Sequence, residues 1–326
     1  MPARKKHFDL IRRGEKKPTL SGTLTFIGLR LADIPLQHAL LSPPSPSSPG
    51  SGSGLVLGLG TRILTSIGLR TVYTHTSTTT SLPSVLLLPL STLFSAPPTS
   101  FTPPSPVLPH SSPILNYVLS PFANLPPTPV LLFLMSIGSA AKQIYWHLSL
   151  SQDSFPASAA AAVSAYNTTV NSLNTFLFLC LGTTSLLSPP QAPISIPFPY
   201  VEDGVRLPLS TLVGTLLYIV GLSIETIAER QRAQFKNRKE NKGLVCMQGL
   251  WRWARHVNYF GYALWRGGYC MVGSGWVGGI LMALWQGWDL SQRAVAVQDE
   301  YCSQRYGEQW TRFKMEVPWK IIPGVY

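Results

Sequence analysis

Apolar positions along this chain fall into a few long runs, separated by stretches rich in Pro, Ser or charge. Residues 55–73, 129–150, 157–188 and 209–227 each approach the roughly 20 apolar residues a helix needs to cross a bilayer. The first of these is interrupted by Arg62 and Arg70. Leu82–Phe94 is too short to cross, and 96–129 holds so many prolines that no continuous helix survives there. Ser42–Gly54 reads as a flexible linker and Pro189–Pro208 as a Pro-rich loop. A last apolar stretch, Tyr262–Trp288, carries Gly273-Ser274-Gly275 at its middle. A turn there makes it a helical hairpin that returns to the side it started from. The pattern therefore predicts an all-α polytopic membrane protein with Pro-rich loops, a C-terminal helical hairpin and a cytosolic tail. Its regions are a basic tail over 1–20, a poorly defined Pro/Ser-rich part over 21–128 with one or two weak spans, transmembrane helices over 129–228, and a C-terminal domain over 229–326.

Composition agrees with a lipid setting. Charged residues make up 12% of the chain, against about a quarter in soluble domains. The formal net charge is +12, yet the apolar runs leave no soluble basic domain, so nucleic acid is not an expected partner. Two basic segments, Met1–Pro18 and the run from Arg230 to Lys239, mark the cytosolic face by the positive-inside rule. An even number of spans must separate them, and both tails then lie in the cytosol, with the endoplasmic reticulum as the expected membrane. The N-terminal stretch is not followed by an apolar core, so no secretory signal is expected. Cys180, Cys246, Cys270 and Cys302 are scattered, which suggests neither a disulfide frame nor a metal site.

Polar residues inside the runs are the first candidates for function. Lys142 lies near the end of one span. Asn167, Asn171 and Asn174 share one helix face by their i, i+4, i+7 spacing. Such amides either hydrogen-bond to a neighbouring helix or line a polar, substrate-facing cavity. Arg232 and Lys236 present two cations on one face. Gly249–Gly261 gathers Trp251, Trp253, Arg252, Arg255, His256, Asn258 and Tyr259 at the boundary between a basic segment and an apolar one. If the hairpin forms, this stretch meets the mixed-charge, aromatic segment Asp289–Tyr326 at one membrane surface. Fixed cations beside aromatic rings suit a phosphate-bearing cofactor with a flat ring system. There is no G-x-G-x-x-G after a strand and no Walker loop.

These residues carry a resemblance. Gly249-Leu250-Trp251, Arg255-His256, Asn258-Tyr259 and Gly261 are similar to the G-[LF]-W-x-x-x-R-H-x-N-Y-x-G motif of the membrane sterol and steroid 5α-reductase-like superfamily. Arg305-Tyr306-Gly307, Trp310, Val317-Pro318 and Ile322-Pro323-Gly324-Val325-Tyr326 resemble the ending of those enzymes, and Arg232-x-x-Phe235-Lys236 resembles their Q-K-x-x-F-R. The resemblance covers the last third of the chain. It implies an NADPH site facing the cytosol, with Arg232 and Lys236 on phosphates and Trp251, Arg255, His256, Asn258 and Tyr259 along the cofactor. Asp299, or Gln298 in strict register, with Cys302, Arg305 and Tyr306 would cover it. The implied reaction is reduction of a carbon–carbon double bond in a lipid or steroid-like substrate held in the membrane. Tyr259 or Tyr262 would be the proton donor, and Lys142 with the Asn167, Asn171 and Asn174 face would lie at the substrate end. Three positions depart from the superfamily: Val257 for a common Pro, Tyr262 for an Asp and Phe313 for a Tyr. A related branch, the isoprenylcysteine carboxyl methyltransferases, shares an R-H-P-x-Y-x-G segment and a later acidic pair that Asp299-Glu300 imitates. That branch implies S-adenosylmethionine as the cofactor. A third alternative is an inactive scaffold or lipid binder of the same fold.

Overall fold

The computed structural model describes residues 19–44, 57–74, 125–151, 153–187, 194–198 and 201–326. The basic N-terminal tail, most of the Ser42–Gly54 linker, Leu82–Phe94 and nearly all of the Pro-rich stretch over 96–129 lie outside them. The described chain is helical apart from one β-hairpin. Its elements are α1 (Leu20–Leu41), α2 (Leu59–Ser66), α3 (Pro127–Tyr145, continued by a π-helical turn to Leu150), α4 (Ala157–Leu179), α5 (Leu181–Leu187), β1 (Ile194–Phe198), β2 (Val201–Leu207), α6 (Leu209–Asn237), α7 (Val257–Asp289), α8 (Val295–Tyr306) and α9 (Glu308–Glu316).

Two expectations change. The stretch over 55–73 yields only the eight residues of α2, about 12 Å of helix, which does not cross a bilayer. Its chain continues into a bridge between Thr71 and Cys180. The long helix in this region is instead α1, 22 residues that pass through Pro35 and bury Arg30, Asp33 and Gln37 on their inward face. Inside the Pro189–Pro208 loop, β1 and β2 pair antiparallel, with Ile194 opposite Leu207 and a register shift between Ile196 and Phe198.

The hairpin forms where the glycines placed it. Within α7, Ser274 (φ −129°) and Gly275 (φ +68°) leave helical geometry. Gly275 supplies the left-handed backbone that a side chain would disfavour. Beyond this break the two arms lie side by side: a Cβ at Gly267 would be 2.7 Å from Ala283 Cβ, and one at Gly279 would be 2.4 Å from Met271 Cβ. Leu209–Asn237 and the stretch Val257–Tyr306 are, by length and composition, apolar enough to cross a membrane.

The first arm of α7 docks on α6 through glycine. A Cβ at Gly221 would be 2.4 Å from Trp265 N and 2.6 Å from the Gly261 carbonyl oxygen, and one at Gly268 would be 2.5 Å from the Gly214 carbonyl oxygen. Small residues let helix backbones approach this closely. Above the seam, Tyr218, Trp265, Tyr269 and Val272 join Leu132, Phe133 and Met135 of α3 and Leu41 of α1 in one apolar cluster. Gly221→Ala should therefore cost about 1–3 kcal/mol by overpacking, read as a lower thermal midpoint in detergent. Gly28→Ala is the control, because nothing lies within 4 Å of a Cβ there.

Candidate functional site

Because α7 turns back, its start and the helices after it stand on the same side, and a half-open cleft lies between them. Arg232 and Lys236 come from the last turns of α6, and Val245, Cys246, Trp251, Arg255 and His256 from the connection to α7. Gln298, Tyr301, Cys302 and Tyr306 of α8 and Trp310 and Phe313 of α9 form the opposite wall.

The three cations of this cleft differ in what already holds them. Arg232 donates to Glu229 Oε2 at 2.5 Å and lies over the Trp251 ring, 5.1 Å from its centroid. Arg255 donates through Nη1 to the carbonyls of Val317 (2.6 Å), Pro318 (3.1 Å) and Lys314 (3.5 Å). Lys236 has no carboxylate at ion-pair distance among the described residues. Burial pushes the Cys246 thiol above its usual range, so it is held in the protonated, poorly nucleophilic form.

Several motif residues hold the walls together. Trp251 donates through Nε1 to the Ala228 carbonyl at 2.8 Å, and Asn258 donates to Glu229 Oε1 at 2.8 Å. Gly261 sits where a Cβ would meet Glu225 N at 2.6 Å. The backbone N–H groups of Arg255 and His256 donate to Trp319 O (3.0 Å) and Lys320 O (2.8 Å), pinning the chain after α9. The His256 ring stacks on Tyr259, centroids 5.3 Å apart and planes 7° from parallel.

Of the residues expected at the cofactor, Arg232, Lys236, Trp251, Arg255, His256, Cys302 and Tyr306 line the cleft, and Asn258, Tyr259, Asp299 and Arg305 do not. Asp299 accepts from Trp310 Nε1 at 2.7 Å and so ties α8 to α9. Gln298, its neighbour in strict register, is the residue on the wall. Arg305 donates to the Tyr301 hydroxyl at 2.8 Å. Tyr259 packs with Leu290, Val295 and Ile321. Tyr262 lies edge-on to Trp265 at 5.1 Å, and neither tyrosine lines the cleft. Val245, Cys246 and Tyr301 were not anticipated; only an aromatic at 301 next to the acidic pair could have flagged the last.

The polar residues at depth are engaged with other helices. Lys142 forms an ion pair with Glu225, which also accepts from Trp265 Nε1 at 2.7 Å. Asn167 accepts from Gln143 at 2.8 Å and from Arg266. Asn171 donates to Asp33 at 2.8 Å and accepts from Arg266 at 2.9 Å. Asn174 donates to the Tyr269 carbonyl at 3.0 Å.

Comparison with known proteins bears on this geometry. Residues 165–301 match the family model DUF1295, described as a protein of unknown function. The probable O-methyltransferase ustE of Ustilaginoidea virens is 30% identical over 200 residues, 61% of this chain and 66% of that protein. Delta(14)-sterol reductases are similar over shorter stretches. That of Neurospora crassa is 29% identical over 159 residues, 35% of this chain and 32% of that protein. ERG24 of Saccharomyces cerevisiae is 28% identical over 151 residues, 40% of this chain and 34% of that protein. The chain thus spans just under two thirds of the methyltransferase and about a third of each reductase. The segment that matches the DUF1295 model runs from α4 through both arms of α7 into α8, and the chain is distantly related to the Delta(14)-sterol reductases.

Proposed function

We propose that this chain is a membrane-embedded methyltransferase that binds S-adenosylmethionine in the cleft between α6, α8 and α9 and methylates an oxygen of a lipid-like acceptor. The observation that carries this reading is how the cations of the cleft are already held. Arg232 is paired with Glu229, and Arg255 is tied down by three carbonyls, which leaves Lys236 to reach a ligand carboxylate. Around it stand Trp251, His256, Tyr301, Tyr306, Trp310 and Phe313. Ring faces suit both an adenine and a sulfonium cation. NADPH would bring a pyrophosphate and a further phosphate, and among the described cleft residues Lys236 is the one cation whose donors the protein does not already hold. The similarity to a probable O-methyltransferase supports the same choice.

S-adenosylmethionine, when bound, supplies an electrophilic methyl group. In this reading Lys236 anchors the amino-acid end, while Trp251 and Trp310 hold flat groups and keep water out. The membrane setting is supported by the outward apolar faces of α6 and the second arm of α7, where Leu216, Ile219, Ile280, Leu281, Leu284 and Trp285 are all at least half exposed. The acceptor would reach the cleft from the bilayer. By the positive-inside rule the cleft and both tails face the cytosol, in the endoplasmic reticulum.

The experiment is a thermal titration of the purified chain in detergent with S-adenosylmethionine, NADPH and NADH. A ligand that binds only the folded state raises the midpoint. S-adenosylmethionine should stabilise the chain, and Lys236→Ala should weaken its binding about ten- to a hundredfold, the worth of one charge-assisted hydrogen bond. Stabilisation by NADPH instead would overturn this reading in favour of the lipid double-bond reductase. A folded chain that responds to none of the three is a scaffold.

A further inference from the structure

We infer that a second site lies inside the helical core, between α1, α4 and the first arm of α7: a buried site for a small monovalent anion, either a halide or the carboxylate of an acyl chain. It is independent of the methyl-transfer reading, because none of its residues lines the cleft.

The inference comes from an imbalance of charge and donors. Arg30 and Arg266 are both fully buried, and one carboxylate, Asp33, is buried with them. Asp33 is already shared. Its Oδ2 accepts from Asn171 at 2.8 Å and from Arg30 Nη2 at 3.3 Å, and its Oδ1 accepts from Gln37 at 3.1 Å. Arg266 donates to neutral amides, those of Asn167 and Asn171, and lies 4.5 Å from the centroid of the Trp265 ring. The Lys142–Glu225 pair beside Trp265 is self-neutralising. Among the described residues, one positive charge is therefore left over in this network.

The unpartnered atoms agree with the charge. Arg30 Nε and Nη1, Arg266 Nε and the Tyr269 hydroxyl are buried without hydrogen-bond partners. The two guanidinium groups lie within electrostatic reach of each other and of that hydroxyl. Two orphan acceptors in the same network, Gln143 Oε1 and Asn174 Oδ1, belong to neutral amides and do not offset the charge. A buried unpaired charge is costly, and buried polar groups find partners. A water could satisfy the donors but not the charge. An anion satisfies both.

The test uses the full chain in a neutral detergent at constant ionic strength, with gluconate, a polyhydroxylated and strongly hydrated anion, as the reference. Chloride and laurate are the probes, and lauryl alcohol is the uncharged control. The thermal midpoint should rise by several degrees, saturably, with chloride, with laurate, or with both, and not with the alcohol. A response to chloride alone assigns the halide, and a response to laurate alone assigns the acyl carboxylate. Arg30→Gln removes the surplus charge and should abolish the response. Should that variant fail to fold, Asn167→Asp decides: the Asn167 oxygen already accepts from Arg266 and Gln143, so a carboxylate there supplies the missing anion covalently. It should raise the midpoint in gluconate and be insensitive to both probes. No response in the unaltered chain, an equal response to the alcohol, or a response that survives in Asn167→Asp would overturn the inference.

Discussion

Glu225→Ala should be among the most damaging single changes in this chain, costing about 3–5 kcal/mol, the usual penalty for stranding one member of a buried ion pair. The substitution leaves the Lys142 ammonium, whose side chain is 8% exposed, without its counter-charge, and removes the acceptor of Trp265 Nε1. The loss is read as a fall in the thermal midpoint of the detergent-solubilised chain. Pairing it with Lys142→Met separates the charge effect from mere packing. If the double variant recovers most of the lost stability, the penalty was electrostatic. If it is no better than Glu225→Ala alone, the assignment of the pair is wrong.

The second large effect is expected at Arg255. Its Nη1 holds Val317, Pro318 and Lys314 by their carbonyls, so Arg255→Ala releases the chain that follows α9 and lets the outer cleft wall fray. Loss of a charged donor is worth about 1.5–3 kcal/mol. More telling is a protease susceptibility confined to the C-terminal segment, with the α6–α7 core intact. Arg255→Lys should rescue little, because one ammonium on a shorter, differently shaped head cannot reach the same set of carbonyls. A variant whose C-terminal segment stays as protected as before would show that the clamp is dispensable.

How far the sequence could be read depended on whether a residue's role was local. The reversal of α7 was readable because Gly273-Ser274-Gly275 interrupts an apolar run, and a backbone break needs only local residues. Helix α1 was missed because Arg30, Asp33, Pro35 and Gln37 disrupt its apolar pattern, and Asp33 and Gln37 find their partners on α1 and α4 only after folding. Residues 55–73 had the opposite fault. Their average was apolar, but the helix stops at Ser66. Of the aromatic and basic motif before α7, Trp251, Arg255 and His256 lie on the cleft wall. Composition alone could not tell that Asn258 and Gly261 contact α6, at Glu229 and Glu225. Arg266 was overlooked although a lone cation in an apolar run is itself a signal of function.

The glycine seam also sets which parts of the molecule can move. Where Gly221 meets Gly261 and Gly214 meets Gly268, main chain touches main chain, and neither helix can slide or rotate without collision. The floor of the cleft is consequently rigid. Its outer wall is held differently: α8 runs on from α7 through a π-helical turn, while α9 is tied to α8 through Trp310 and Asp299, and the chain after it to the start of α7 through Arg255 and two backbone hydrogen bonds. Any gating that admits a small molecule from the aqueous side is therefore a lifting of α9 and its trailing chain, with α6 and α7 as the fixed frame.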